Sequence, residues 1–168
     1  MFPSHDLRAI VIGARVEESA ANTFTQTSVD LQLNPLDNEV FVVQAINLDV
    51  GSPDAQAATD TATTMTLTTT SQTALPTLDS SNVLGKAEKA IRAAGFVDGG
   101  VGFYEQSMET PPAMLDHIGI ISTNDFFLQI QGSGNAALKT GSVKVYGYRA
   151  KADAAQYAAL VQSEVLSS

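Results

Sequence analysis

Two alternating runs near the end of the chain, residues 125–131 and 142–151, flank a loop rich in Gly, Ser and Asn. Phe126, Leu128 and Ile130 share one side of the first run. On the second, Lys144, Tyr146 and Tyr148 fall opposite Val143 and Val145. A period of two sends successive side chains to opposite faces of a strand. Such a hairpin cannot stand alone in water, so it demands further strands to pack against. A helical period follows at once. Asp153 can cap a helix over about 153–166, whose apolar stripe is Tyr157, Leu160, Val161 and Val165.

The upstream chain supplies the strands. Residues 8–16 are short and β-branched, and residues 24–33 alternate, with Val29, Leu31 and Leu33 opposite Ser28, Asp30 and Gln32. Asn34-Pro35-Leu36-Asp37-Asn38 has strong turn chemistry. Residues 39–50 are the most apolar run. Val40, Val42, Ile46 and Leu48 are expected on one face and Phe41, Val43 and Ala45 on the other, in a central strand covered on both sides. Residues 63–71 fit a strand with Met65 and Leu67 inward, since Thr favours strands through its stiff χ1. Between residues 80 and 95 the period changes. Leu84, Ala87, Ile91 and Ala94 line one side of a predicted helix over about 81–94. Residues 96–105 read as a Gly-punctuated strand or loop, and 115–122 return to β character. The expectation is one domain over 1–168: an all-β sandwich with a mid-chain helix and a C-terminal helix.

Composition narrows the function. Charged residues are only 16% of the chain and Thr, Ser, Asn and Gln replace them, which suits a surface covered by neighbours and equally a stable monomer with a Thr-rich β surface. The formal net charge of −9 argues against nucleic-acid binding, which needs clustered Lys and Arg. There is no cysteine, so no disulfide framework or thiolate metal site. The first residues lack a basic n-region and a long apolar core, and no apolar run reaches a membrane span, so folding in the cytoplasm is expected.

Chemistry is sparse. The two histidines, His5 and His117, are far apart, and Asp116 beside His117 would point to the opposite face of a strand. Glu17/Glu18, Asp37/Glu39 and Asp49/Asp54 sit near turns and could offer calcium ligands, but match no calcium loop and read as solvated acidic turns. Gly99-Gly100-Val101-Gly102 and Gly132-Ser133-Gly134 lack phosphate-loop context and read as turns. No catalytic, cofactor or metal residues are expected.

DFFLQIQGSGN followed by GSVKVYGYRAKAD, with the strand EVFVVQAINLDV, resembles the single jelly-roll major capsid proteins of tailless, internal-membrane double-stranded DNA viruses of archaea and bacteria. The resemblance implies a jelly-roll-like sandwich, a non-catalytic shell subunit assembled in the host cytoplasm, and a place in the virion. Its partners would be copies of itself, a second capsid protein and an underlying membrane. Small-molecule substrates and sequence-specific nucleic acid are not among them. Candidate subunit contacts are Lys144, Tyr146, Tyr148, Tyr157, Leu160 and Val161. The alternative is a carbohydrate- or receptor-binding sandwich of a viral spike or fibre, for which Tyr104, Tyr146 and Tyr148 are the aromatic candidates. A cupin-like enzyme would need a histidine-rich metal site that two histidines do not supply.

Overall fold

Two antiparallel sheets stack face to face in the computed structural model, which describes residues 10–95, 103–108 and 115–166. The strands are β1 (Ile10–Glu17), β2 (Thr25–Asp30), β3 (Glu39–Val50), β4 (Thr61–Thr68), β5 (Val83–Arg92), β6 (Phe103–Met108), β7 (Gly119–Ile121), β8 (Asp125–Ser133) and β9 (Thr140–Lys151). One helix, α1 (Ala154–Leu166), closes the chain. The sheets run β1-β9-β3-β7 and β2-β8-β4-β5-β6. Between them lie Phe126, Leu128 and Ile130 of β8, Met65 and Leu67 of β4, and Val143 and Val145 of β9, all buried as their alternation requires. Burial of this apolar surface supplies most of the drive to fold.

The mid-chain helix expected over about 81–94 is instead the strand β5. Its register with β4 runs from Thr61↔Ile91 to Thr68↔Val83 and is shifted between Leu67 and Thr68. The shift is a bulge at Leu84, which turns that side chain inward beside Ala87. A three-residue spacing on one face therefore imitates a helical period. Hydrogen bonding to β4 on one side and β6 on the other outweighs the helix propensity of Lys86, Ala87, Glu88 and Lys89.

A second bulge alters β3. Its register with β9 shifts between Val43 and Ala45. The inner face therefore carries Phe41 and Val43 before the bulge and Ile46 and Leu48 after it, which corrects the division expected from uninterrupted alternation. Val40 and Val42 lie on the outer face and are nevertheless buried. The expected two-sided cover thus holds for residues 40–43, whereas Gln44, Ala45, Asn47 and Asp49 are exposed.

The Thr-rich surface has its own cover. Thr64, Thr66 and Thr68 point out of the five-stranded sheet, yet all are buried. Thr66 donates to Gln129 Oε1 at 2.7 Å, and Gln129 Nε2 donates to Thr68 Oγ1 at 2.7 Å and to Gln26 Oε1 at 2.9 Å. The β4–β5 loop folds over this ladder, its Gln72 N–H donating to Gln26 Oε1 at 2.8 Å. Long amides and a loop of the same chain thereby cover part of the Thr-rich surface.

Candidate functional surfaces

Chain direction sorts the loops into two ends. Residues 18–24, 51–60 and 134–139 gather at one end, and 31–38, 69–82 and 122–124 at the other with α1.

The first end is a closed polar network. Parity along β1 turns Val16 and then Glu18 inward, and Glu18 is only 2% exposed. Its Oε1 accepts the N–H groups of Gly132 at 2.6 Å and Thr23 at 3.1 Å, and its Oε2 accepts the N–H of Lys139 at 2.8 Å. One carboxylate thus ties the β1–β2 turn, β8 and the β8–β9 loop together. Asn135 extends the tie. Its Oδ1 accepts the Asp54 N–H at 2.9 Å, its Nδ2 donates to the Ala62 carbonyl at 2.8 Å, and its backbone pairs with the Asn22 amide. Asp54 Oδ2 accepts the N–H groups of Ala136 and Ala137, while its Oδ1 pairs with the Lys139 ammonium. That ammonium and those N–H groups hold the Asp54 carboxyl below the usual carboxylate range.

The turn carboxylates named as possible calcium ligands have partners within the chain. The oxygens of Glu18 and Asp54 already face N–H groups or an ammonium. Asp37 and Glu39 serve the 31–38 turn, where Glu39 accepts the Asn34 N–H at 2.9 Å and Asp37 pairs with Lys151 at 3.4 Å. Glu17 pairs with Arg15, and Asp49 approaches Lys89 at 3.9 Å. No group of three or more His, Cys, Asp or Glu placed to hold a metal occurs among the described residues. His117 is exposed, and Gly132 belongs to β8, with its N–H committed to Glu18. Gly134 follows at φ +68°, a turn position that glycine suits. His5 and the 99–102 glycine stretch lie outside the described residues.

The opposite end is held by α1. Asp153 caps it as expected, accepting the Gln156 N–H at 2.8 Å while Gln156 Oε1 reaches back to the Asp153 N–H at 3.4 Å. Tyr157, Leu160 and Val161 are half-buried, Val165 is exposed, and the buried residue of the helix is Glu164. Its Oε2 accepts the N–H groups of Ser122 at 2.9 Å and Thr123 at 3.1 Å and the Ser122 hydroxyl, while its Oε1 accepts the Thr123 hydroxyl at 2.8 Å. Leu160 and Ile120 line a cavity of about 190 Å³ beside it. Spacing could have found Glu164, because it follows Tyr157 by seven residues on the predicted stripe. Glu164→Ala is expected to cost about 2–3 kcal/mol by orphaning these donors, and Glu164→Gln less. Hydrogen exchange should show lost protection across 154–166 before the strands respond.

The remaining candidate contacts lie on the outer face of the four-stranded sheet. Tyr148 pairs in register with Val42 on the half of that face toward α1, and Lys144 and Tyr146 lie on the other half. The sequence-derived set is therefore split: Tyr148, Tyr157, Leu160 and Val161 belong to the α1 side, and Lys144 and Tyr146 to an exposed patch of sheet. No described helix is long and apolar enough to cross a membrane.

Fold and surfaces together define an all-β sandwich of two antiparallel sheets with a C-terminal helix. No family model matches the chain, and no curated protein matches it. Among solved structures it is similar to one titled Desmodium yellow mottle tymovirus, at 10% identity and a TM-score of 0.30, over 90% of this chain and 88% of that one. A second is the tailspike protein gp49 of Acinetobacter baumannii bacteriophage Fri1, titled a capsular polysaccharide depolymerase. It is 11% identical with a TM-score of 0.15, over 76% of this chain and 21% of that one. Likenesses of this size carry no argument about this chain.

Proposed function

We propose that the chain is a structural virion protein, a self-assembling shell subunit of the single jelly-roll type without catalytic activity. The observation that carries the reading is the strand order. With β6 set aside, the sheets run β1-β9-β3-β7 and β2-β8-β4-β5. That is the order produced when paired Greek keys fold into a double-sheet jelly roll, an architecture that recurs in viral capsids. Fold alone does not assign function, so the surfaces matter too.

The two ends support assembly differently. One is knit by Glu18, Asp54 and Asn135 into a rigid cap. The other exposes Leu36 at 92%, Leu78 at 52%, Val165 at 56% and Leu166 at 76%. Large apolar side chains exposed there favour burial against something else, and Leu138, 43% exposed, adds one at the capped end. In this proposal they meet neighbouring copies, a second capsid protein or a membrane, in a virion assembled in the host cytoplasm. A shell of the tailless, internal-membrane virus type would use such an end inward. The test is electron microscopy and light scattering of the full chain across salt and calcium concentrations. Shells, lattices or discrete capsomers are expected, and a dispersed monomer at high concentration under every condition would overturn the reading.

A further inference from the structure

The exposed patch of the four-stranded sheet has the chemistry of a ligand site. Register sets three rows across β1, β9 and β3: Val11–Tyr146–Ala45, Gly13–Lys144–Asn47 and Arg15–Ser142–Asp49. Gly13 has no side chain, so the middle of the face sinks to the backbone. The result is an open groove of about 400 Å³ whose walls include Tyr146, Lys144, Asn47 and Asp49. That volume falls within the roughly 300–1,000 Å³ of small-molecule sites.

We propose that this groove binds a glycan, with one sugar ring against Tyr146 and its hydroxyls taken by Asn47, Asp49, Lys144 and Ser142. A sugar ring presents a face of C–H groups, which suits an aromatic side chain, and a rim of hydroxyls that both donate and accept. The wall supplies the matching set: an amide that does both, a carboxylate that accepts, an ammonium that donates and a hydroxyl that does either. Lys89, 3.9 Å from Asp49, adds a charge partner at the rim.

Other occupants fit less well. Phosphate polymers are opposed by the net charge of −9. A stable protein interface buries about 800 Å² a side around an apolar centre, and a lipid surface needs an apolar face. Here Val11, 53% exposed, is the large apolar side chain the rows leave open. The strands that carry the wall are hydrogen-bonded into the sheet, β9 between β1 and β3, so little ordering is needed on binding. This inference stands apart from the shell reading.

The test is titration of the full chain with cellohexaose, mannohexaose, chitotriose and 3′-sialyllactose, alongside a glycan array. Binding of at least one glycan is expected. Tyr146→Ala should weaken it about tenfold, the scale of a lost aromatic contact, and Tyr146→Phe should keep it. Tyr104→Ala, on the other sheet, should change nothing. Gly13→Gln guards against a folding artefact. A Cβ there meets nothing nearer than the Val143 carbonyl oxygen at 4.0 Å, so the backbone at Gly13 has room for a side chain that starts at the floor of the groove. It should abolish binding with an unchanged melting temperature. Failure of every glycan to bind, binding indifferent to Tyr146→Ala and Gly13→Gln, or loss of self-association in Gly13→Gln without any glycan effect would each overturn the proposal.

Discussion

Glu18→Ala is expected to destabilise the chain by about 3–5 kcal/mol, a large part of the roughly 5–15 kcal/mol that holds an ordinary domain together. The carboxylate accepts N–H groups from Gly132, Thr23 and Lys139 while only 2% exposed. Alanine leaves all of those donors without their acceptor, in a space that water reaches poorly. The damage spreads because each donor belongs to a different segment. The β1–β2 turn, the end of β8 and the β8–β9 loop all lose the same anchor. Glu18→Gln separates shape from charge. Its carbonyl can still serve Gly132 and Thr23, but its amide then points a donor at the Lys139 N–H. About half the loss should therefore remain. Urea unfolding of the three proteins would read this directly. A Glu18→Ala loss below about 1 kcal/mol, the value of an ordinary exposed hydrogen bond, would mean the network is not built as described. Glu17→Ala is the internal control, since Glu17 is exposed and pairs with the exposed Arg15.

Glu17 and Glu18 also show how far the residues themselves could be read. As a pair beside a turn they look alike, and a solvated acidic turn describes Glu17 well. Glu18 differs because it continues the inward parity of Ala14 and Val16, a signal present in the alternation of β1. What no alternation could reveal is its partners Gly132 and Lys139, which topology brings from more than a hundred positions away. The closing strands, with Phe126, Leu128, Ile130, Val143 and Val145 inward, and the capped final helix were legible because each is a local pattern agreeing with its tertiary setting. β5 was not. Its bulge at Leu84 makes a strand mimic a helical stripe, and bulges have no fixed sequence mark. The bulge in β3 hid for the same reason, and with it the exposure of Ala45, Asn47 and Asp49 that opens the groove. Tyr146 and Lys144 could be placed on one face from sequence. Their proximity to β3 and to the missing side chain of Gly13 depends on register.

Gly147→Ala is expected to cost about 3 kcal/mol, the upper part of the usual range for overpacking. Gly147 stands in β9 opposite Val43, just before the β3 bulge, and faces the core. A Cβ there would run into the Val42 carbonyl oxygen and lie 2.7 Å from the Phe41 ring. The ring could turn aside, at the cost of a fully buried aromatic contact. The carbonyl cannot, because it is backbone in the central pairing of the sheet. The two obstacles are separable. Phe41→Leu in the Gly147→Ala background removes the ring but leaves the carbonyl, so only part of the loss should return, and the double-mutant cycle measures that part. Gly13→Ala is the matched control, since its Cβ makes only an ordinary contact, 4.0 Å from the Val143 carbonyl oxygen, in a strand on the other side of β9. Its stability should change by less than about 0.5 kcal/mol or rise slightly. Equal effects at the two glycines in urea unfolding would refute the tight approach of β3 to β9. An intact Gly13→Ala beside a crippled Gly147→Ala would place the strain at the bulge, where the inner face of the sandwich changes phase.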